Sequence, residues 1–224
     1  TENPDGRPVF AQLIGENLLD LRRTVRDLRE YPIAGIDLNM GCPVQKITKT
    51  GRGSAMMKDV DKTAKILEAM RNVLTIPFTI KIRSGWDEMH LNAVEVAKMA
   101  EDVGVDAITV HPRTRSQQFT GLSKWDMISQ VVDAVNIPVT GNGDVKSMSD
   151  ARRMAAETGV ESVMIGRGAM GKPWVFDESF EDLSPAGKYE YQTKVINRHM
   201  PLIMYHFPEK VGLIQMQRHL SWYA

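Results

Sequence analysis

Apolar and polar positions along the chain alternate between two periods. Short runs rich in aliphatic and β-branched residues recur as "PVFAQLIG" (8–15), "GIDLNMG" (35–41), "FTIKIR" (78–83), "DAITVHP" (106–112), "IPVTGNG" (137–143) and "SVMIGRG" (162–168). Between them the period lengthens to that of a helix. Leu18, Leu21, Val25 and Leu28 share one face of 17–30, with Arg and Asp opposite. Ile66, Leu67, Met70 and Leu74 do the same in 61–74. Residues 91–103 repeat the pattern and end at Gly104, a left-handed cap. Ser123 is expected to open a helix carrying Trp125, Ile128, Val132 and Val135, and 149–158 forms another, closed by Gly159.

Strand then helix, repeated, predicts parallel strands joined by crossover helices. Each strand run is nearly all apolar, as expected for a sheet covered on both faces. An open doubly wound sheet and a (β/α)8 TIM barrel share this grammar, and the glycines discriminate between them. A doubly wound dinucleotide fold places its phosphate glycines after the first strand. Here "GNGD" (141–144) and "GRGAMG" (166–171) follow the last two strand runs, where barrels frequently build a phosphate site. The expectation is an α/β TIM barrel over 1–175, with about six of eight strands present and two N-terminal ones missing. Past 175 the strand signals stop. "DESFEDLSPAGK" reads as a polar linker, and 186–206 and 209–223 read as helices. Residues 176–224 are therefore expected to be a linker and the start of an all-helical C-terminal domain.

Composition narrows the function classes. The 224 residues suffice for a substantial core, and a formal net charge of +0 gives no general signal for nucleic acid, so any such claim must come from local clusters. One cysteine excludes an intramolecular disulfide and a cysteine-based metal cage, which fits a reducing, cytoplasmic setting. No apolar run approaches the roughly 18 residues of a membrane span. Neither a membrane nor a metal is expected as a partner, and the chain is expected to be monomeric.

In parallel α/β proteins ligands sit at the carboxyl ends of strands. The polar residues ending the runs are Gln12, Asn39 with Cys42, Lys81 with Arg83, His111 with Arg113 and Arg115, Asn142 with Asp144, and Arg167. One polar strand end is noise, whereas a series of them marks a site. Each has a plain alternative. A lone cysteine packs as a small hydrophobe, a lysine in "FTIKIR" can snorkel from an edge, and His111 can be a satisfied core histidine. The glycines at 141, 143, 166 and 168 can be helix-entry turns, or can let backbone N–H groups approach a phosphate, with Arg167 adding charge. "GRGS" (51–54) reads as shaping the loop after Cys42. Paired carboxylates, metal-ligand spacing and Ser-His-Asp logic are absent. A phosphorylated cofactor doing the hard chemistry fits best, with FMN the natural candidate. Lys81 would face its pyrimidine, and a thiol could deliver a proton.

The block "DLNMGCPVQKITKTGRGSAMMKD" closely resembles the signature of the tRNA-dihydrouridine synthases. "KIRSGW", "ITVHPRTRSQQFTG", "PVTGNGD" and "VMIGRGAMGKPW" resemble the remaining family blocks in the same order, from about residue 7 to the end. The resemblance implies an FMN-dependent oxidoreductase that reduces the C5–C6 double bond of specific tRNA uridines, with NADPH as reductant. It implies an FMN-binding barrel followed by a helical domain that helps to grip tRNA. Cys42 then corresponds to the acid that protonates C5, and Gln12, Lys81 and His111 to contacts with the isoalloxazine. Asn142, Gly143, Asp144, Gly166 and Arg167 correspond to the ribityl and phosphate site, Asn39 to a uracil or tRNA contact, and Arg113 and Arg115 to RNA contacts. Pro112 stands where the family commonly has glycine. The competing readings are a barrel of the dihydroorotate or dihydropyrimidine dehydrogenase kind acting on a free pyrimidine, and a non-catalytic RNA-binding fragment.

Overall fold

In the computed structural model, which describes residues 6–223, the strands run in sequence order across one sheet. They are β1 (Phe10–Leu13), β2 (Gly35–Asn39), β3 (Phe78–Arg83), β4 (Ala107–His111), β5 (Val139–Asn142) and β6 (Ser162–Met164). All neighbouring pairs are parallel. A doubly wound sheet reverses its order at a switch point. The order β1-β2-β3-β4-β5-β6 has no reversal and is the arrangement of an α/β barrel.

The crossovers carry α1 (Leu18–Leu28), α2 (Gln45–Thr48), α3 (Val60–Arg71), α4 (Ala93–Asp102), α5 (Asp126–Val132) and α6 (Met148–Thr158). Local chemistry fixes their starts. Asn17 Oδ1 accepts from the N–H groups of Leu19 and Asp20, and Asp59 Oδ1 accepts from Lys62 N. Gly104 has φ +87, the left-handed cap expected after α4. One helix departs from expectation. α5 begins at Asp126 with Trp125 at its cap position and no side-chain cap, while Ser123, in the preceding turn, donates its N–H to Asp144 Oδ2 at 2.8 Å.

Side chains alternate across a strand. Ile36, Leu38, Ile80, Ile82, Ile108 and Val110 are buried on one face. Burying each contributes about 1.5–3 kcal/mol. The opposite face is polar, contrary to the expectation of strands apolar on both sides. Its register places Gln12 beside Asp37, Asp37 beside Thr79, and Asn39 beside Lys81. Gln12 Nε2 donates to Asp37 Oδ2 at 2.7 Å, and Thr79 Oγ1 donates to Asp37 Oδ1 at 2.8 Å. Thr140 and Ser162 hydroxyls pair at 2.6 Å. These mutual bonds allow a polar face within a parallel sheet.

The chain divides into two compact units, one comprising residues up to Asp144 with Arg153–Met164, the other Val145–Arg152 with Ile165 onward. The second unit contains α7 (Pro185–His206) and α8 (Glu209–Tyr223). Ser184 caps α7 through Gly187 N. Trp174 stacks on Phe180 and Tyr223, at centroid separations of 5.4 and 5.9 Å. No helix among the described residues is long and apolar enough to cross a membrane.

Candidate functional site

The carboxyl ends of β2 to β5 bring polar side chains to one place in the first unit. Asn142, ending β5, is their hub. Its Nδ2 donates to Met164 O at 2.8 Å, which fixes the amide orientation. Its Oδ1 therefore accepts twice, from Lys81 Nζ at 2.8 Å and from His111 Nδ1 at 2.9 Å. His111 must then carry its proton on Nδ1. Its Nε2 is a lone-pair acceptor, buried and without a partner.

Charge follows from this packing. Burial, with the nearby Arg83 charge, pushes the Lys81 ammonium down from 10.5 to about 8, and Asp37 partly opposes the shift. Burial pushes His111 down from 6.5 to about 4, against the Asn142 hydrogen bond and with help from Lys81, Arg83 and Arg113. His111 is thus neutral at pH 7. The Lys81 ammonium is held where an anion or electron-rich carbonyl would stabilise it.

Cys42 lies on the loop leaving β2, half-buried. Asn39 shapes that loop, its Oδ1 accepting from Gly41 N at 3.1 Å and Cys42 N at 2.9 Å. Its Nδ2 donates to Gln12 Oε1 at 3.0 Å. Ser54 closes the other side, with N and Oγ both donating to Cys42 O at 3.1 and 2.9 Å. Gly53 is required here. It has φ +61, and a Cβ would stand 2.8 Å from Cys42 O. The "GRGS" turn thus presses directly on the cysteine. Met40 N donates to Lys81 O at 2.8 Å, so the Cys42 loop departs beside Lys81.

Two arginines take places that "HPRTR" and "FTIKIR" do not announce. Arg83, 3% exposed, donates Nε to Gly41 O at 2.7 Å and Nη1 to Thr114 O and Gln118 O at 2.8 Å each. It clasps the Cys42 loop to the loop after β4. Arg113, 2% exposed, donates to both Asp144 carboxylate oxygens at 2.9 and 2.7 Å, and also to Thr120 O and Gly121 O. Arg113 was expected to contact RNA. Its guanidinium is instead sealed in a buried ion pair and unavailable to a surface ligand. Asp144, with φ +55, accepts from Arg113 through both carboxylate oxygens and from Ser123 N. Arg115 is half-buried, with its guanidinium carbon 4.6 Å from the Trp86 ring centroid.

The glycines divide by cause. A Cβ on Gly141 would approach Met154 Sδ to 2.6 Å, and one on Gly143, at φ +127, would collide with Ser123 Oγ. Both are explained by packing. A Cβ on Gly166 would meet nothing within 4 Å, so packing does not explain that glycine. Gly166 and the exposed Arg167 belong to the second unit, where Arg167 starts a short 3-10 turn. The structure therefore gathers Gln12, Asn39, Cys42, Lys81, His111 and Asn142 around the first unit's strand ends. Sequence reasoning missed Arg83 as a clasp and Asp37 as the centre of the polar face. The period-2 spacing of Thr79, Lys81 and Arg83 was the available signal.

Residues 1–224 match the family model described as dihydrouridine synthase. The chain is 36% identical over 222 residues to tRNA-dihydrouridine synthase B of Xanthomonas campestris, spanning 97% of this chain and 67% of that protein. It is 39% identical over 225 residues to tRNA-dihydrouridine synthase B of Pseudomonas aeruginosa, spanning 98% and 68%. Among solved structures, mandelate oxidase with (S)-2-phenylpropionate superposes with a TM-score of 0.54 at 22% identity, covering 73% of this chain and 50% of that one. That likeness concerns the barrel fold alone.

Proposed function

The chain belongs to the dihydrouridine synthase family, and on that premise we propose that it reduces the C5–C6 double bond of uridine in tRNA, with FMN as cofactor and NADPH as reductant. The observation that carries the reading is the Lys81–Asn142–His111 cluster beside the Cys42 loop. A cationic donor and a neutral imidazole with a buried, unpartnered Nε2 fit the polar edge of a flavin. These residues would hold FMN, which would supply the hydride for C6 of the uracil.

The chain's own residues do the rest. Lys81 Nζ has donors beyond the one given to Asn142, and these would hold a carbonyl or anionic edge in place. Asn142 positions Lys81 and His111 through Oδ1, and its Nδ2 keeps one hydrogen beyond that given to Met164 O. Gln12 retains one Nε2 hydrogen for the isoalloxazine, the other being given to Asp37. The main chain at Gly143 and Asp144 is assigned to the ribityl and phosphate groups; for Gly166 and Arg167, in the second unit, the family resemblance implies a phosphate role. The unexplained glycine at 166 supports that role.

Reduction also needs a proton at C5. A cysteine thiol is ordinarily mostly protonated at pH 7 and can act as an acid without tuning. We assign this proton to Cys42, on the loop that Asn39, Ser54 and Arg83 fix. Asn39 keeps one amide hydrogen for the uracil. The target uridine must leave its stack, at a cost of a few kcal/mol. The α7–α8 pair is assigned to the tRNA-gripping helical domain, and a tRNA substrate with a single cysteine suits a cytoplasmic enzyme. Cys42→Ala should retain bound flavin and lower dihydrouridine formation by about 10²–10⁴-fold. Flavin absorbance and mass spectrometry of digested tRNA measure the two. Turnover near that of the parent would refute the acid role.

A further inference from the structure

A second cluster lies in the first unit, apart from the flavin-site residues assigned above, and it includes Arg115, for which the family resemblance implies an RNA contact. The loop after β3, Ser84–Asn92, folds back on itself, with Trp86 N donating to His90 O at 3.0 Å and Gly85 bridging to Leu91. The loop after β4 zips onto it: Arg115 N donates to Gly85 O at 2.9 Å and Ser116 N to Trp86 O at 3.0 Å. The turn after Cys42 joins from a third side, where Asn92 Nδ2 donates to Met57 O at 2.7 Å. Trp86 is thereby fixed where the loops after β2, β3 and β4 meet.

Two cations rest on this one indole. Lys58 Nζ and the Arg115 guanidinium carbon each stand 4.6 Å from the Trp86 ring centroid. Neither has a carboxylate within ion-pair distance among the described residues. Like charges gathered on one ring without a counter-ion attract an anion. Groups around them are also unsatisfied: Arg115 Nε and Asn92 Oδ1 are buried without partners. Lys58, Trp86, His90 and Asn92 line a cavity of about 430 Å³. The carboxylate on that cavity, Asp87, is engaged by His90 Nδ1 at 2.6 Å and by Met89 N.

We propose that Lys58 and Arg115, carried by Trp86, clamp a phosphodiester of the tRNA backbone next to the uridine being reduced. The inference rests on the reading of tRNA as substrate and extends it to named backbone contacts. Phosphate chemistry suits the cluster, because the exposed Lys58 ammonium and the half-buried Arg115 guanidinium supply charged donors to phosphate oxygens. Trp86 holds the two cations in place before the RNA arrives, so less side-chain freedom is lost on binding.

The test is tRNA binding by fluorescence anisotropy over a range of salt concentrations, for the parent and for Lys58→Gln/Arg115→Gln. Losing one phosphate contact lowers the slope of log K against log salt by about 0.7–0.9, and weakens binding roughly tenfold at about 0.1 M salt. Lys58→Gln alone, in which an exposed side chain changes and the fold is not at risk, should move both quantities in the same direction by less. An unchanged Kd and slope in the double variant, while the parent binds tRNA and forms dihydrouridine, overturns the clamp and leaves the function standing. Unchanged tRNA binding with a raised KM for NADPH also overturns it, placing the site on the dinucleotide's phosphate. A parent that binds no tRNA overturns the clamp and the proposed function together.

Discussion

Replacing Lys81 with methionine should stabilise the flavin-free chain, and the gain should depend on pH. The Lys81 ammonium falls from 10.5 to about 8, chiefly because it is buried. That difference is roughly 3 kcal/mol of cost to the folded state whenever both states are protonated, that is, below about pH 8. Between pH 8 and 10.5 the folded chain releases the proton while the unfolded chain keeps it, so the parent's stability rises with pH and the cost fades. Lys81→Met removes the charge at similar volume. It also takes one of two donors from Asn142 Oδ1, with His111 still bonded; that loss offsets about 1 kcal/mol. The net gain at pH 7 is about 1–2 kcal/mol, or a few degrees in Tm for a chain of this size. Urea unfolding at a series of pH values measures it. The advantage should hold from pH 6.5 to about 7.5 and shrink toward zero by about pH 10. A destabilised variant at pH 7, or an advantage independent of pH, would show that Lys81 is not a buried charge held for a ligand. The same variant should bind flavin more weakly, the usual relation between site strain and stability.

Further outcomes follow from the site's construction. His111 sits at about 4 in the fold against an ordinary 6.5, so the stability of its neutral form is lost as pH falls through that window. His111→Gln should flatten the acid limb of the stability–pH curve by up to roughly 3 kcal/mol, read by urea unfolding between pH 6.5 and 4. Arg83→Met would leave Gly41 O, Thr114 O and Gln118 O without their donor and should cost about 2–4 kcal/mol, seen as a lower urea midpoint. Gly53→Ala forces a Cβ against Cys42 O from a left-handed backbone and should cost about 1–3 kcal/mol. Dihydrouridine formation should fall more than flavin content does, and equal losses would argue against a special role for the Cys42 loop.

The strand–helix alternation was legible because parallel α/β units repeat two clean periods, and the glycine turns after the last strands pointed to the barrel. The polar inner face was not. In "FTIKIR" the apolar residues conceal that Thr79, Lys81 and Arg83 share a side. The fate of Arg113 was hidden for another reason. Its partner Asp144 is 31 residues away, on the next strand's exit, and no local pattern links them. Arg113 and Arg115 look alike in "HPRTR", yet one is sealed in an ion pair and the other lies on an aromatic ring. Asn142 was legible as a strand-end polar group, but its role as the shared acceptor of Lys81 and His111 depends on the register of three strands. The start of α5 differs from expectation because Ser123 lies two residues ahead of the cap position, in a turn whose N–H is tied to the distant Asp144.

The central claim is that the strand-end site holds flavin so that Cys42 can protonate a tRNA uridine. Its most direct test is one turnover of the flavin-loaded, pre-reduced chain against unmodified tRNA transcript, with dihydrouridine quantified by mass spectrometry of the digested RNA. The parent should form dihydrouridine at a defined uridine, in an amount limited by the flavin bound, and Cys42→Ala with equal flavin should form almost none in the same time. Equal product from both chains, or reduced flavin that yields no dihydrouridine with the parent, would contradict the account.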